Sequence, residues 1–388
     1  MKVVIAHNRY ASAQPSGENV IVDYEIGALR EAGVEVVPFL RSSDEIAGMS
    51  AAKKASLALS PVYARGVQKE LGHLLERERP DILHVHNVYP LLSPAVVDTA
   101  HRHGVKVVQT IHNYRHDCLN GLYFRDGHDC HDCHGKRWKG PGVLHACYRG
   151  SRAQSAVMAT SLGVNRDVWR RVDRFVALTD NMAAYLRSIG MEEDRIRVKP
   201  NAMPDPGEPK PLGEGFLFGA RLVPEKGVEL LLDAWSRVGR ESGATLTIAG
   251  DGPLREVVER AANAGEVRYV GPQDREGMAG LLEGAAAVVV PSIWEDILPT
   301  SGLEALAAGR AVTATRMGGA PFIVGDHTDA PSGVVADPSP AALARALEET
   351  YAQVGTYASA ARRRYEQVFS PEVALRRLVE IYGELTGV

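Results

Sequence analysis

The sequence of 388 residues has little of what marks a membrane-spanning, secreted or nucleic-acid-binding protein. No apolar run approaches the roughly 18 residues that span a bilayer. The apolar start, Met1–Ala6, stops at His7 and is far too short for a signal peptide, so it predicts a first β-strand. The net charge is only −4, without the strong positive balance of a nucleic-acid-binding domain. We therefore expect a cytoplasmic protein with no nucleic-acid partner, and contact with the inner face of the membrane stays open.

Cysteine is scarce, yet the four cysteines lie close together in the chain. A Cys-x-x-Cys pair flanked by two further cysteines supplies four thiolates, enough for a closed tetrahedral zinc site. In a reducing compartment such a cluster holds a metal more often than it forms disulfides. We expect structural zinc, with free or redox-active thiols and disulfides as alternatives. The expected ligands are Cys118, Cys130, Cys133 and Cys147, with His116, His128, His131, His134 and His145 as candidate substitutes.

Short apolar runs alternate with helical patterns through the first half of the chain. Several runs are continuously apolar, as expected for parallel strands buried on both faces. The first run is followed by a helical stretch from about Asn19 to Ala32, with Gly33 where a helix C-cap is expected. This βαβ alternation predicts a doubly wound sheet. The predicted strands are Val3–Ala6, Val34–Phe39, Ile82–Val85, Val105–Ile111, Arg174–Leu178 and Ile196–Lys199.

A proline-rich stretch, Pro200–Gly215, separates two halves of similar pattern and is typical of an interdomain linker. We predict an α/β protein of two doubly wound Rossmann-like domains, residues 1–203 and 204–369. A C-terminal helix, about 370–388, is expected to pack back on the first domain. Ligands favour the carboxyl ends of such sheets, so a cleft between the domains is the expected site. The predicted strands of the second half are Phe216–Phe218, Leu246–Ala249, Arg268–Val270, Ala287–Val290 and Ala311–Thr315.

Two loops of the second half carry residues suited to a diphosphate. Arg221 and Lys226 flank a proline-containing turn at a strand end, where two cations can converge on phosphate oxygens. A solvated surface turn is the alternative interpretation. The stretch Gly250-Asp251-Gly252 follows the next strand and is similar to a nucleotide-edge loop, although Gly-Asp-Gly is also ordinary turn chemistry.

A third loop carries the strongest signal. The buried strand Ala287–Val290 leads into a loop with the carboxylate of Asp296, and a helix is predicted to begin near Thr300. A helix N-terminus offers free N–H groups to an anion, and Glu304 can accept hydrogen bonds from ribose hydroxyls. A solvent-facing glutamate on a surface helix is the alternative.

Together these three loops resemble the retaining glycosyltransferases of family 4, which have the GT-B fold. The resemblance implies that Arg221 and Lys226 bind the donor diphosphate and that Glu304 contacts the ribose. The family pattern has a second glutamate with seven residues between the two, and that position is Asp296 here. Asp296 is therefore expected to face the transferred sugar with a shorter reach. The implied donor-binding residues are Gly17, Arg221, Lys226, Gly250, Asp296, Leu298, Pro299, Thr300 and Glu304.

The resemblance extends into the first half of the chain. Residues 14–19, which include Gly17, are similar to the family's glycine-rich loop near the donor phosphates, with Ser16 where glycine is common. The loop Thr110–Asn113 matches the one whose histidine, His112 here, lies at the reaction centre. The cysteine-bearing insertion, about 115–150, lies on the acceptor side and is expected to shape acceptor choice. The expected catalytic residues are His112, Arg221, Lys226 and Asp296.

The reaction implied by the resemblance is transfer of a sugar from a UDP- or GDP-sugar to a saccharide, lipid-linked or small-molecule acceptor. Anomeric configuration would be retained without a catalytic divalent cation. A nucleotide-sugar 2-epimerase of the same fold and a non-enzymatic, zinc-stabilised binding module are the alternatives. A dinucleotide-dependent dehydrogenase is disfavoured, because no complete Gly-x-Gly-x-x-Gly follows the first strand.

Overall fold

The protein is described from a computed structural model, which covers residues 1–12, 17–50, 57, 59–238 and 243–387. It divides into two compact units. The first comprises Met1–Tyr123, His131–Lys199 and Leu375–Val388, and the second comprises Phe124–Cys130 and Pro200–Ala374. Each unit is built on a six-stranded parallel sheet. The predicted α/β class with two doubly wound sheets is confirmed.

The sheet of the first unit consists of β1 (Lys2–Arg9), β2 (Glu35–Ser42), β3 (Ile82–Val85), β4 (Lys106–Ile111), β7 (Arg174–Ala177) and β8 (Ile196–Val198). Their order in the sheet is β2-β1-β3-β4-β7-β8. Buried side chains such as Val3, Ile5 and Val108 pack its face against two helices, Gly17–Glu31 and the C-terminal helix, which contributes Leu378 and Tyr382. Burying these apolar faces stabilises the unit through the hydrophobic effect.

The remaining elements of the first unit connect and cover these strands. The helices are Gly17–Glu31, Arg65–Glu78, Val96–Arg102, Gly140–Leu144, Arg152–Val164, Arg166–Trp169 and Asp180–Ser188, with 3-10 turns at Ser43–Ile46 and Glu193–Arg195. The helix Pro371–Thr386 begins in the second unit and belongs to the first from Leu375 onward.

The strands of the second unit are β9 (Phe216–Gly219), β10 (Leu246–Ala249), β11 (Arg268–Tyr269), β12 (Ala287–Val290), β13 (Ala311–Thr315) and β14 (Gly333–Ala336). Their order in the sheet is β11-β10-β9-β12-β13-β14. The two-stranded hairpin of β5 (Phe124–Arg125) and β6 (His128–Asp129) is antiparallel and groups with this unit. Its helices are Val228–Trp235, Arg255–Asn263, Arg275–Glu283, Thr300–Ala307, Ala320–Val324, Pro340–Ala352 and Val354–Arg364, with a 3-10 turn at Pro224–Lys226 and a π-helical turn at Tyr365–Phe369.

The core of the second unit lies on one face of its sheet. Phe216, Leu246 and Val289 from the strands pack against Leu231 and Leu347 from helices. In the described ranges, no helix combines the length and apolar character needed to cross a membrane.

Candidate functional site

The strand order of the second unit places two loops at the point where ligands bind in doubly wound sheets. From β9 the chain runs outward to β10 and β11, then returns to the other side of β9 with β12. Such a reversal leaves a crevice at the carboxyl ends of the two central strands. The loop after β9 carries Arg221 and Lys226, and the loop after β12 carries Asp296. Residues separated in sequence thus meet at one edge of one sheet.

Close backbone contacts hold these loops together. The N–H of Ile293 donates to the carbonyl of Glu225 at 3.0 Å. Gly227, with φ +73°, lies so near Pro291 that a Cβ would overlap the Pro291 carbonyl oxygen. Gly250, with φ +141°, approaches the carbonyl of Ala220 in the same way. Only glycine avoids both the steric overlap and the backbone strain at these positions.

The two cations of the first loop have different surroundings. Lys226 donates from Nζ to Asp296, with which it forms an ion pair, and its Nζ lies 5.5 Å from the ring centroid of Trp294. The side chain of Arg221 is 73% exposed, and Glu225, at 3.9 Å, is its only ion-pair partner in the described part of the chain. Lys226 is therefore positioned by the protein, whereas Arg221 is available to a ligand.

The helix Thr300–Ala307 begins where the sequence predicts it. Leu298 and Pro299 are buried before its first turn, and Thr300 is exposed. Glu304 lies on the outward side of this helix. Desolvation raises the pKa of its carboxyl, and Arg275 opposes that shift. A carboxylate that is partly desolvated but still accessible to a ligand is well suited to accept hydrogen bonds from the ligand's uncharged hydroxyl groups.

In the first unit, His112 is held by a second histidine that follows a neighbouring strand. His112 comes directly after β4, and His86 comes directly after β3. Nε2 of His112 lies 2.9 Å from Nδ1 of His86, and the two rings stack with centroids 5.2 Å apart. Desolvation, with the rings of His86 and His7 adding to it, holds the pKa of His112 well below its usual range. His112 is therefore a neutral imidazole at neutral pH.

A buried carboxylate, that of Glu25, lies close to His86 of this pair. Nε2 of His86 lies 3.4 Å from Oε1 of Glu25, and neither atom has a hydrogen-bond partner of good geometry among the described residues. The other oxygen of Glu25 accepts a hydrogen bond from Lys199 Nζ at 2.7 Å. Burial opposes ionisation of Glu25. Lys199, His86 and His84 outweigh that effect and hold the pKa of Glu25 well below its usual range. All these contacts fit one set of tautomers, in which Nε2 of His86 donates toward Glu25 and Nδ1 of His86 accepts from Nε2 of His112. This arrangement leaves a lone pair on Nδ1 of His112.

Glu25, His84 and His86 also bring their ligand atoms within 4.8 Å of one another, a spacing that a metal ion could use. The nitrogens of His84 already have partners, Tyr382 Oη at 2.7 Å and Thr110 Oγ1 at 2.8 Å. Because Lys199 supplies the positive charge next to Glu25, we interpret the cluster as a hydrogen-bonded support for His112.

A small polar cavity of about 30 Å³ lies beside His112. Its lining includes Glu18 Oε1, Arg115 Nε, His116 Nδ1 and Trp169 Nε1, buried atoms that have no hydrogen-bond partner in the described residues. Burial raises the pKa of Glu18 to about 7 against the influence of Arg115 and a hydrogen bond from Tyr10. Burial likewise lowers the pKa of His116 to about 4. The cavity has room for one or two waters or a ligand hydroxyl group.

No disulfide joins the four cysteines, all of which lie among the described residues. Sγ of Cys118 donates to Asn120 Oδ1 at 3.0 Å, and burial raises the pKa of Cys118 and of Cys133. Cys118 and Cys147 are both close enough to Cys133 to raise its pKa further. Even so, within the described residues these three sulfurs do not all lie within 4.8 Å of one another. Zinc binding by the cysteines stays a prediction.

A buried ion pair stabilises the same insertion. Lys139 Nζ donates to Asp117 Oδ1 at 2.5 Å, and the hydroxyl of Tyr123 donates to Asp117 Oδ2 at 2.7 Å. Lys139 also donates to the carbonyl of Cys133 at 3.2 Å. The insertion therefore has an internal anchor that the cysteine pattern does not reveal.

The structure gathers the predicted residues into two groups. Arg221, Lys226, Gly250, Asp296, Leu298, Pro299, Thr300 and Glu304 lie in the second unit, and Gly17 and His112 lie in the first. Gln14, Pro15 and Ser16, from the predicted glycine-rich loop, fall outside the described residues.

The comparisons with known proteins agree with this arrangement. One family model, a glycosyl transferase 4-like domain, matches residues 16–202, and a second, glycosyl transferases group 1, matches residues 213–353. The chain belongs to the group 1 glycosyltransferases. Membership of this family, which the three loops predict, is thereby confirmed, and retention of configuration stays a prediction.

Curated relatives in this family match parts of the chain. An uncharacterized glycosyltransferase of Methanocaldococcus jannaschii is 30% identical over 35% of this chain and 31% of its own. A GDP-mannose-dependent alpha-(1-6)-phosphatidylinositol dimannoside mannosyltransferase of Mycobacterium tuberculosis is 30% identical over 42% of each chain. The chain thus spans less than half the length of these two relatives.

Solved structures match over the whole chain and show the shared fold. Anabaena HepE in complex with UDP has a TM-score of 0.68 at 14% identity and covers 99% of this chain and 100% of its own. Sucrose-phosphate synthase from Thermosynechococcus elongatus has a TM-score of 0.67 at 18% identity, covering 100% and 99%. The predicted GT-B fold is confirmed.

Several residues of the histidine network are not predicted by the sequence pattern. His86 could have been found, because it follows a predicted buried strand as His112 does. Glu25 gave no usable signal, since a glutamate within a helix is normally exposed. The sequence pattern places Lys199 at the end of a strand, and only the fold brings its ammonium to Glu25.

Proposed function

We propose that the protein is a retaining glycosyltransferase that moves a sugar from a UDP- or GDP-sugar to a hydroxyl acceptor. The observation that carries the proposal is the meeting of the Arg221–Lys226 loop and the Asp296 loop at the reversal point of the second sheet. The two family models support it. Among similar proteins, one relative is GDP-mannose-dependent and one structural neighbour contains UDP, so both nucleotides are retained in the proposal.

The donor would bind to the second unit through its diphosphate and ribose. Arg221 and Lys226 would contact the diphosphate, where positive charge stabilises the leaving group. Gly250, whose backbone packs closely on the loop after β9, would lie along the nucleotide. Glu304 would accept hydrogen bonds from the ribose hydroxyls. Asp296, held by Lys226, would face the transferred sugar.

The first unit would supply His112 and the acceptor. The bond between the anomeric carbon and the diphosphate oxygen breaks, and the acceptor oxygen bonds to that carbon on the same face. The acceptor proton passes to the departing diphosphate oxygen. His112, neutral and oriented by His86, would hydrogen-bond the reacting groups through Nδ1. No catalytic divalent cation is required in this scheme.

We further propose that the cysteine insertion binds structural zinc through Cys118, Cys130, Cys133 and Cys147. The proximity of Cys118 and Cys147 to Cys133 supports this. Zinc thiolate bonds of about 2.3 Å would require the sulfurs to draw closer together on binding. The buried Asp117–Lys139 pair would hold the rest of the insertion while they do so.

The function is tested by incubating the purified chain with a panel of UDP- and GDP-sugars and following nucleoside diphosphate release. We expect release with one or a few donors, faster when a saccharide or lipid-linked acceptor is added. NMR of the product should show the anomeric configuration of the donor. Interconversion of donor sugars without any acceptor would indicate the epimerase instead. No consumption of any donor, together with no nucleotide-dependent rise in thermal stability, would refute the proposal.

A further inference from the structure

Three successive cavities of the first unit share walls, starting beside His112. The first, of about 30 Å³, is lined by His112, Tyr89 and Arg115. Tyr89 and Arg115 also line a second cavity of about 180 Å³. Pro90, Tyr148 and Arg149 line both this second cavity and a third of about 320 Å³. The three form a row that leads away from the predicted reaction centre.

The middle cavity is cationic. The guanidinium groups of Arg115 and Arg149 lie 5.9 Å and 5.3 Å from the ring centroid of Tyr148, so both lie close to the same aromatic ring. Arg149 is exposed and has no carboxylate partner within the described ranges. Arg115 donates from Nη2 to the carbonyl of Asn120 at 3.3 Å, while its buried Nε has no partner in the described part of the chain. Guanidinium groups with donors that are not already paired with a carboxylate are suited to bind a phosphate group.

The third cavity is apolar. Beyond the shared wall, its lining includes Ile46, Pro61, Leu91, Val157 and Met158. Val157 and Met158 come from the helix Arg152–Val164, and Leu91 follows β3. A cavity of this composition favours hydrocarbon, because burial removes apolar surface from water.

We propose that this row is the acceptor site and that the acceptor is a lipid-type phosphate. Its hydroxyl would lie at His112, its phosphate between Arg115 and Arg149, and its hydrocarbon chain against Leu91 and Val157. The order of the cavities matches the order of groups along such a molecule. This inference rests on the proposed function, since His112 marks the reacting end only in a transferase.

The test measures binding to the full chain by calorimetry, below the critical micelle concentration of the probes. The probes are n-decyl phosphate, n-decanol and inorganic phosphate. We expect decyl phosphate to bind about tenfold or more tightly than either fragment, because only it uses both the cationic and the apolar cavity.

Matched variants test the contributions of the cationic cavity and the apolar cavity to binding separately. Arg149→Gln should weaken decyl phosphate about tenfold, whereas Arg376→Gln, at an exposed arginine that lines none of the three cavities, should not. Val157→Asp should weaken decyl phosphate but leave inorganic phosphate unaffected. Ala156→Asp, exposed on the same helix, should alter neither. Circular dichroism and thermal melts confirm that each variant is folded.

Equal binding of decanol and decyl phosphate, or equal behaviour of Arg149→Gln and Arg376→Gln, would overturn the inference. Absence of decyl phosphate binding while donor sugars are still consumed would refute the acceptor site and leave the proposed function standing. Binding of decyl phosphate by a chain that consumes no donor would instead refute the proposed function, and the acceptor assignment with it.

Discussion

Lys226 forms an ion pair with Asp296, a residue 70 positions away in the sequence. Lys226 ends the 3-10 turn after β9, and Asp296 lies in the loop after β12. In the proposed reaction, a donor diphosphate would compete with Asp296 for the Lys226 ammonium. The sugar-facing carboxylate and the diphosphate-binding cation would then respond together to donor binding.

The first prediction concerns the two cations. Arg221→Ala and Lys226→Ala should each reduce kcat/KM for the donor by about a hundredfold or more, because each removes positive charge from the leaving group. Steady-state kinetics measure the effect. Arg345→Ala, at an exposed arginine on the helix Pro340–Ala352, is the control. Rates near wild type in both test variants would contradict the assignment.

The second prediction concerns Asp296. Asp296→Asn keeps the shape of the side chain but removes the charge that neutralises Lys226. Sugar transfer should fall, while UDP or GDP should bind as tightly as in the wild type or more tightly. Calorimetry measures nucleotide binding and steady-state kinetics measure sugar transfer, both on the same variant. Asp233→Asn, at an exposed site, is the control. Equal loss of transfer and of nucleotide binding would assign Asp296 to structure.

The third prediction concerns the support behind His112. Glu25→Gln removes the anionic partner of His86, so turnover should fall by about tenfold while donor binding to the second unit is unchanged. Because this variant leaves the Lys199 ammonium buried without its partner, the double variant Glu25→Gln with Lys199→Met should recover thermal stability. If the double variant also recovers turnover, Glu25 contributes to stability alone.

The fourth prediction concerns Glu18, whose pKa is raised from 4.5 to about 7 by burial. The folded state holds a proton that the unfolded state loses, so this carboxyl's contribution to stability falls as pH rises from about 4.5 to about 7. Glu18→Gln cannot ionise. It should raise Tm by a few degrees at pH 8 and by much less at pH 5. Glu31→Gln, exposed at the end of the same helix, should show no such pH dependence.

The fifth prediction concerns zinc. The purified chain should contain about one zinc ion per molecule, bound to four thiolates. Chelation should impair acceptor use and leave nucleotide binding intact, because three of the four cysteines belong to the first unit and Arg221, Lys226 and Glu304 belong to the second. Elemental analysis measures the zinc content, and thiol titration measures how many cysteines react freely. Four freely titratable thiols in folded protein without zinc would contradict the prediction.

Much of the fold could be predicted from local pattern. The strands Ile82–Val85, Leu246–Ala249, Ala287–Val290 and Ala311–Thr315 have the predicted bounds, because continuous apolar runs bounded by turn residues leave few other structures. The edge strand Gly333–Ala336 is not among the predicted strands. It is short and half-buried, so it lacks the apolar run that marks a central strand.

The sequence by itself determined the α/β class, the family and the loops that carry Arg221, Lys226, Asp296 and Glu304. These depend on short-range patterns, namely apolar periodicity, turn residues and motif spacing. Only the tertiary structure decided that Lys226 pairs with Asp296, that Glu25 and Lys199 support His112 through His86, and that Arg115 and Arg149 flank one ring. The ion pairs and the Arg115–Tyr148 contact join residues on different strands, helices or loops, whereas Arg149 follows Tyr148 directly in the chain. The partners are chosen by strand order and by the need to pair charges that folding has buried, and neither is encoded in any local stretch of sequence.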